Sequence, residues 1–386
     1  DGFCAKLEAE HPDVFSPFTV VVREGEGLVA VPTVKRWPEA HQAIAGELTA
    51  AADALPTTEA AFQAYLRAAA KAFGDGDWFD ADAAWAAMNA RNSKWYLRIG
   101  PDETYHDPCD RHAGYHMVLA RINPASVAWQ DRLDPLKADM ERDLAAMSGP
   151  YRARNATFAL PDFIDIVMNA GDARAATGAT TGQSLPNWGP VAEAGGRTVA
   201  MTNLFTDADS VSSHRRKVAS LVCSDAMTEW TDDPEPLLMS TVLHEAAHNL
   251  GPASGYTVDG ETDEQAFGGG LASVLEELKA QTAALYLTDW LVARGAVDAD
   301  TGRKAHMADI AWALGKISQG YVGPDGSTKV YPQLSGIQLT ALRATGAVTW
   351  KPSETASNGK DLGCFSVDHA ALPAAIAGLA ATVFEI

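Results

Sequence analysis

The sequence predicts an α+β protein that is predominantly helical, with a helix-rich half and a mixed half. Apolar residues recur at three- and four-residue spacing along much of the chain, which indicates amphipathic helices. Between residues 149 and 212, glycines and prolines interrupt short apolar runs, a texture typical of loops and short strands. A length of 386 residues suits two domains or one large bilobed unit.

Helices are predicted in both halves of the chain. Residues 38 to 72 carry the spacing of two helices, and residues 81 to 89 that of a short one. Residues 127 to 147 predict one long amphipathic helix. Helices return from about residue 214, and an apolar helix is expected at residues 370 to 384.

Strands and turns are predicted between these helices. Residues 95 to 108, WYLRIGPDETYHDP, indicate a strand followed by a loop rich in glycine, proline and aspartate. A short strand is expected at residues 198 to 204, and residues 324 to 364 are predicted to be rich in turns.

The charge of the chain limits its partners. A formal net charge of −20 repels phosphate backbones and anionic membrane surfaces, so nucleic acid is not an expected partner. The charge is interpreted mainly as a source of solubility, with a mild preference for neutral or cationic peptides as the alternative. No apolar run approaches 18 residues, so no membrane span is expected.

The cysteines and the chain ends leave the compartment open. The four cysteines include no CxxC pair, and they permit two disulfides that a chain of this length does not need. A start at Asp1 indicates a removed presequence or a shortened chain. A cleaved signal peptide would place the protein in the periplasm or outside the cell, and a cytoplasmic location stays open. Ordered sequence is expected to continue past Ile386, because the last residues are apolar.

The pentapeptide HEAAH, residues 244 to 248, is the most informative motif. In a helix, His244 and His248 lie on one face one turn apart, a spacing that lets two imidazoles bind one Zn²⁺. Glu245 would lie beside a water molecule at the metal and could accept its proton. A histidine pair satisfied within the core is the alternative interpretation.

The flanks of the motif support a helix. Asp232 or Asp233 is expected to cap its N-terminus, and Pro234 suits its first turn. Gly251 followed by Pro252 is expected to end it.

A third ligand is expected on a second helix that begins near Gly270, because catalytic zinc takes three protein ligands. Glu276 and Glu277 flank the apolar stripe of this helix on opposite sides. Glu277 shares its flank with small residues that allow another helix to approach closely. Gln281 lies on the same flank and could hydrogen-bond to a metal ligand. Glu277 is therefore the predicted ligand and Glu276 the alternative, while two solvated glutamates are the ordinary interpretation.

These segments resemble the dipeptidyl peptidase III family and its shorter bacterial relatives. HEAAHNLGP followed by LEELKAQTAALYL carries the resemblance first. IGPDETYHDP at residues 99 to 108, the stretch from 160 to 191 that contains LPN, and KAHMADIAWAL at 304 to 314 follow the family pattern in the family order. The resemblance extends from about residue 80 to residue 315.

The resemblance implies a zinc metallopeptidase that releases dipeptides from the N-terminus of short peptides. His244, His248 and Glu277 would bind one zinc ion per chain, and Glu245 would activate water as the general base.

Four further roles come from the resemblance alone. His306 and Tyr105 would donate hydrogen bonds to the carbonyl oxygen as negative charge develops on it. Glu103 and Asn187 would bind the free amino terminus of the peptide. Without the resemblance, each of these residues would be interpreted as an ordinary packing or loop residue.

The chain departs from the family pattern in several places. The histidine spacing is HExxH, whereas the long members have HExxxH. Ile310 replaces a frequent arginine, Ser184 replaces a second asparagine, and Gln281 replaces an acidic residue. The chain is also shorter than the long members. These changes keep the hydrolytic residues but weaken the expectation of strict dipeptide release.

The same resemblance implies two lobes around a cleft. A mixed α/β lobe on the substrate side would comprise residues 1–122 with 157–205, and a helical zinc-binding catalytic lobe would comprise residues 123–156 with 206–386. Closure of the lobes would exclude water and bring Tyr105 toward the metal.

Two alternatives to a dipeptidyl peptidase stay open. One is a zinc aminopeptidase or endopeptidase with a different cleavage register. The other is a catalytically weak or inactive relative that binds zinc and a peptide or protein, although an intact Glu245 argues against it. A purely structural zinc site is disfavoured, because such sites usually have four ligands with cysteines among them.

Overall fold

The structure, a computed structural model, describes residues 3–104, 107–109, 111–156, 158, 160–174, 182–252, 256–323 and 326–386. The chain divides into two compact units. The first comprises Asp1–Val127 and Pro161–Asn203, and the second comprises Ala128–Leu160 and Leu204–Ile386.

The helices and strands alternate irregularly along the chain. Up to residue 147 they are α1 Phe3–Glu10, β1 Thr19–Glu24, β2 Gly27–Pro32, α2 Thr33–Arg36, α3 Pro38–Ala54, α4 Ala60–Asp75, α5 Phe79–Ala87, β3 Trp95–Glu103, β4 Gly114–Ile122, α6 Ala125–Leu133 and α7 Lys137–Met147. After it they are β5 Asp162–Gly171, β6 Gly182–Leu185, α8 Pro190–Glu193, β7 Arg197–Met201, α9 Asn203–Thr206, α10 Ala208–Ala219, α11 Ser224–Met227, α12 Pro234–Ala247, α13 Asp263–Phe267, α14 Gly269–Ala293, α15 Ala299–Ile317, α16 Val330–Ala344, β8 Val348–Thr355, β9 Leu362–Val367 and α17 Leu372–Glu385.

The first unit is built on a five-stranded sheet with the strand order β3-β4-β5-β7-β6. All neighbouring strands are antiparallel except β5 and β7, which run parallel. Helices α3, α4 and α5 contribute apolar side chains to the core against the sheet, among them Phe73 and Trp85, which are fully buried. Strands β1 and β2 form a separate hairpin.

The second unit is largely helical. Its long helix α14 packs against α12, α15, α16 and α17. The 25 residues of α14 span about 37 Å at 1.5 Å per residue, which makes it the axis around which the other helices pack. Leu285, Met307 and Ile376 belong to the core that these helices enclose.

The predicted fold class, α+β with a predominance of helix, is confirmed. The two helices expected within residues 38 to 72 are α3 and α4, and the expected C-terminal apolar helix is α17. None of the helices among the described residues is both long enough and apolar enough to cross a bilayer.

Two local predictions were wrong, and a third was correct except for the length of one strand. The long helix expected at residues 127 to 147 is divided into α6 and α7 by a 3-10 turn at Asp134–Leu136, because Pro135 lacks the amide hydrogen that a continuous helix requires. The segment 324 to 364 contains α16 and the hairpin β8–β9 rather than mainly turns. Pro332 is compatible with α16 because it lies in the first turn, where amide hydrogens have no partner within the helix. The region 149 to 212 contains the expected short strands β6 and β7, but β5, with ten residues, is longer than the strands predicted there.

Two disulfides join the four cysteines, one within each unit. Cys4 pairs with Cys109, and Cys223 pairs with Cys364. Their sequence separations are 105 and 141 residues, so each closes a long loop.

Candidate metal centre

Helix α12 presents two histidines on one face. Its N-cap is Asp233, whose side chain accepts a hydrogen bond from the Glu235 amide, and Pro234 occupies the first helical position. The opposite face of the helix, which includes Leu243, is buried. His244 and His248 therefore project together from the side of the helix that does not enter the core.

Glu277 extends from α14 to meet the two histidines. Its Oε2 lies 3.2 Å from Nε2 of His244 and 3.9 Å from Nε2 of His248. The two Nε2 atoms lie 3.2 Å apart. One atom from each of three side chains thus converges on a single point.

This donor set fits a zinc ion. Zinc bonds to histidine nitrogen and carboxylate oxygen are about 2.0–2.2 Å long, so neighbouring ligands in a tetrahedral site lie roughly 3.3 Å apart. The three separations agree with that value to within about 0.6 Å. In addition, Oε2 of Glu277 is buried and makes no hydrogen bond among the described residues, as expected for an oxygen that faces a cation.

The second nitrogen of each imidazole has its own partner. Nδ1 of His244 lies 3.0 Å from Oε1 of Gln281, and Nδ1 of His248 lies 2.7 Å from Oε1 of Glu276. An oxygen at Nδ1 places the proton on that nitrogen and leaves the Nε2 lone pair for a metal. Gln281 therefore has the supporting position that its spacing predicted.

Both carboxyl oxygens of Glu276 contact other side chains. Its second oxygen accepts from the Lys279 ammonium group at 2.9 Å, and the same ammonium group donates to the Pro252 carbonyl at 2.8 Å. Both carboxyl oxygens of Glu276 are therefore engaged, which disfavours the alternative that it is the third ligand.

The electrostatics of the cluster favour a cation. Burial would raise the pKa of Glu277, but its close contact with His244 and the charges of both imidazoles outweigh burial and lower that pKa. Burial would lower the pKa of His244, but Glu277 and then Glu245 outweigh it and raise that pKa. A proton and a metal ion therefore compete for the same nitrogen, as is usual for metal ligands.

Glu245 is half-buried next to the cluster. Its negative charge contributes to the raised pKa values of both His244 and Tyr331, so its carboxylate lies within electrostatic reach of each. A carboxylate in this position is able to accept a proton.

Tyr331, on α16, is a neighbour of the cluster that the sequence did not indicate. Its hydroxyl lies 3.5 Å from Oε1 of Glu277, the oxygen that points away from the histidines. Its ring packs edge-on against Trp312, and the Lys316 ammonium group lies over both rings. Burial, followed by the charges of Glu277 and Glu245, raises the pKa of Tyr331 to about 12, so the phenol keeps its proton. Because residues 324 to 364 were predicted to form turns, the sequence offered no reason to expect Tyr331 near α14. Its position follows from the formation of α16.

The structure does not place His306 with the cluster. His306 is 3% exposed, and its Nε2 lies 2.9 Å from Oδ1 of Asp289. Asp289 follows Glu277 by twelve residues on α14, which is about 18 Å along the helix axis. The prediction that His306 donates a hydrogen bond beside the metal gains no support from this geometry.

Glu103 and Asn187 meet in the first unit. The Asn187 amide nitrogen donates to the Asp102 carbonyl at 2.7 Å and to Oε2 of Glu103 at 3.2 Å. Glu103 is the last residue of β3. The pairing of β3 with β4 shifts in register between Pro101 and Glu103, and such an irregularity changes the direction of the side chain that follows it. Tyr105, predicted to act with His306 at the carbonyl oxygen of the substrate, lies outside the described residues.

Asp102, the residue before Glu103, belongs to a buried cluster of charged side chains. Asp102 accepts from Nε of Arg98 at 2.7 Å and lies 2.9 Å from Nε2 of His116. Burial would raise the pKa of Asp102, but the charge of Arg98 and the bond to His116 outweigh burial and lower it. The backbone that positions Glu103 is therefore anchored by a carboxylate that stays ionised.

Two of the departures from the family pattern have structural explanations. The Ser184 hydroxyl bonds to the Thr198 hydroxyl at 2.6 Å across the β6–β7 pair. Ile310, 3% exposed, belongs to the core of the second unit. Each of these side chains has a structural partner within its own unit.

Comparison with known proteins supports the fold. No protein-family model matches the chain, and no curated protein sequence matches it. The structure of DPP III from Caldithrix abyssi matches with a TM-score of 0.83 at 21% identity, over 98% of this chain and 70% of that one. The structure of dipeptidyl-peptidase III from Corallococcus sp. strain EGB matches with a TM-score of 0.66 at 21% identity, over 98% of this chain and 66% of that one. The predicted resemblance is thus confirmed at the level of the fold.

Proposed function

We propose that this protein is a zinc metallopeptidase that releases dipeptides from the N-terminus of short peptides. The observation that carries the proposal is the convergence of His244, His248 and Glu277 in a chain with the fold of dipeptidyl peptidase III, with the outer nitrogen of each histidine hydrogen-bonded to a side-chain oxygen. The donor set has three members, as in catalytic zinc sites, rather than the four of structural sites.

Glu245 carries the proton transfers in this proposal. A zinc ion bound by the three ligands would supply Lewis-acid chemistry, acidifying water and polarising the scissile carbonyl. Glu245 would accept the proton of the attacking water and return it to the leaving amine. Its half-buried position beside His244 supports this role.

Glu103 and Asn187 would bind the amino terminus of the substrate. A carboxylate and an amide oxygen are suitable acceptors for an ammonium group. The contact between them supports a joint role, because the Asn187 amide holds the Glu103 carboxylate in one orientation. The predicted roles of Tyr105 and His306 stay predictions.

The cleavage register is the finer part of the proposal. Ser184 and Ile310 have partners within the fold instead of the side chains that the family pattern places there. An aminopeptidase or an endopeptidase would use the same zinc and the same general base with a different alignment of the substrate. The hydrolysis experiment distinguishes these two alternatives from a dipeptidyl peptidase.

The test combines metal content with hydrolysis. We expect about one zinc per purified chain, as a three-ligand catalytic site implies, and release of naphthylamine from arginyl-arginyl or alanyl-alanyl naphthylamide. Glu245→Gln should keep the zinc and lower kcat by about 10²–10⁴-fold, the usual contribution of a general base. Glu235→Gln is the matched control, since it removes an exposed carboxylate from the same helix.

Each contrary outcome has a definite meaning. Zinc without hydrolysis of any peptide would indicate a peptide-binding relative that lacks turnover. Faster hydrolysis of single-residue naphthylamides would indicate an aminopeptidase. A protein without zinc would refute the proposal.

We also propose that the protein works in an oxidising compartment. Disulfides persist in the periplasm and outside the cell but are rare in the cytosol of mesophiles. Two disulfides support export, and a count of free thiols in denatured protein taken directly from the native compartment would test it.

A further inference from the structure

A buried carboxylate lies behind the metal centre. Asp309, on α15, is 7% exposed, and its Oδ1 accepts a hydrogen bond from Nε2 of Gln281 at 3.1 Å. The same oxygen accepts from the hydroxyl of Ser240. Ser240 lies on α12 one turn before His244, so helices α12, α14 and α15 meet at this one carboxyl group.

The contacts form a chain from Asp309 to the metal ligand. The Gln281 amide has two ends, an oxygen that only accepts and a nitrogen that only donates. Because an ionised Asp309 can only accept, the amide nitrogen must face it, and the amide oxygen then faces Nδ1 of His244 at 3.0 Å. That oxygen requires a proton on Nδ1, which leaves Nε2 free.

The reverse orientation of the amide would block metal binding. If the Gln281 nitrogen faced His244, it would donate to Nδ1, and the proton of the neutral imidazole would move to Nε2. A protonated Nε2 has no lone pair for a metal. The orientation of one amide group therefore decides whether His244 is ready to bind.

We propose that Asp309 is a positioning residue of the metal centre, which acts through Gln281 to set the tautomer of His244. This inference rests on the metal centre of the proposed function. Gln281 occupies a position where the family pattern has an acidic residue, so in this chain the carboxylate lies one side chain further from the histidine.

The burial of Asp309 is costly, which argues against an incidental role. Its Oδ2 is buried and makes no hydrogen bond among the described residues. Burial, only partly offset by Ser240 and the nearby imidazoles, raises the pKa of Asp309 to about 6. A neutral side chain would fill this position with less loss of stability.

The first arm of the test measures zinc affinity of the metal-free protein by competition with a chromogenic chelator. Asp309→Ala should weaken zinc binding by about 10–100-fold, the usual effect of losing a partner behind a metal ligand. The double variant Gln281→Glu with Asp309→Asn places a carboxylate directly at His244 and should restore most of the affinity. Leu287→Ala is the control, because it destabilises the same helix by loss of a fully buried leucine without touching the cluster.

The second arm needs no metal. In metal-free protein labelled with ¹⁵N-histidine, at a pH where the imidazoles are neutral, His244 should carry its proton on Nδ1 in the wild type. In Asp309→Ala it should show Nε2 protonation in a substantial fraction. A His244→Gln variant assigns the signal.

The outcomes separate this inference from the proposed function. Wild-type zinc affinity in folded Asp309→Ala, or an unchanged His244 tautomer in that variant, would overturn the inference while leaving the zinc site in place. A wild type that binds no zinc would overturn the proposed function, and the tautomer measurement would still decide the role of Asp309.

Discussion

Two adjacent glutamates on α14 should respond very differently to the same isosteric change. Glu277 places Oε2 3.2 Å from Nε2 of His244, the nitrogen that faces the proposed metal position, whereas Glu276 places Oε1 2.7 Å from Nδ1 of His248, the outer nitrogen. Glutamine keeps the size of each side chain and removes only its charge. Comparing Glu277→Gln with Glu276→Gln therefore separates a ligand from a residue that supports one.

The expected magnitudes follow from these contacts. The amide oxygen of Glu276→Gln can still accept from His248, so that bond loses only its charged part, while the ion pair with Lys279, which does not touch the histidine, is lost. Hydrogen bonds to charged groups contribute about 1.5–3 kcal/mol and neutral ones about 1 kcal/mol, so this bond weakens by about 0.5–2 kcal/mol, or roughly 2- to 30-fold in zinc affinity. Glu277→Gln replaces an anionic ligand with a neutral amide, and its loss should exceed the roughly 100-fold limit for residues behind a ligand.

The assay is chelator competition on metal-free protein at constant pH and ionic strength, with circular dichroism to verify folding. Glu264→Gln serves as the control, since it removes an exposed carboxylate from the neighbouring helix α13. A larger loss in Glu276→Gln than in Glu277→Gln would reverse the ligand assignment. Unchanged affinity in both variants would show that zinc binds elsewhere.

Three further predictions concern stability and substrate binding. Because the folded-state pKa of Asp309, about 6, lies above its unfolded value near 3.9, its contribution to the stability of metal-free protein is present below that lower value and is lost as the pH rises through 6. Urea unfolding should show a loss of up to about 3 kcal/mol between pH 4 and 7.5 that Asp309→Asn largely removes, and equal pH slopes in both proteins would contradict this. Replacing Cys223 and Cys364 by serine opens a loop with a separation of 141 residues and should lower the free energy of unfolding by up to about 5 kcal/mol, whereas insensitivity to the replacement would show that the bond does not restrain the unfolded chain. Asn187→Ala should raise KM about tenfold for peptides with a free amino terminus but not for N-acetylated ones, and equal effects on both would exclude a role at that terminus.

The sequence alone determined the local part of the metal centre. His244 and His248 are four residues apart, and the period of a helix places them on one face whatever surrounds it. The same period placed Glu276 and Glu277 on different flanks of α14. Signals of this kind extend over one or two turns, so they could be recognised before any packing was known.

The choice between Glu276 and Glu277, by contrast, depended on packing. The flank of α14 favoured Glu277 and left Glu276 as the alternative, and only the approach of α14 to α12 brings Glu277 to the inner nitrogen of His244 and Glu276 to the outer nitrogen of His248. The position of His306 was decided in the same way, since its partner Asp289 lies on another helix.

Tertiary structure alone placed Tyr331 and Asp309 beside the cluster and paired the cysteines. Tyr331 follows Glu277 by 54 residues, and Asp309 follows Gln281 by 28. No period connects positions that far apart. Their proximity arises from several helices burying their apolar faces together, a property of the whole packed unit that no short segment of sequence encodes.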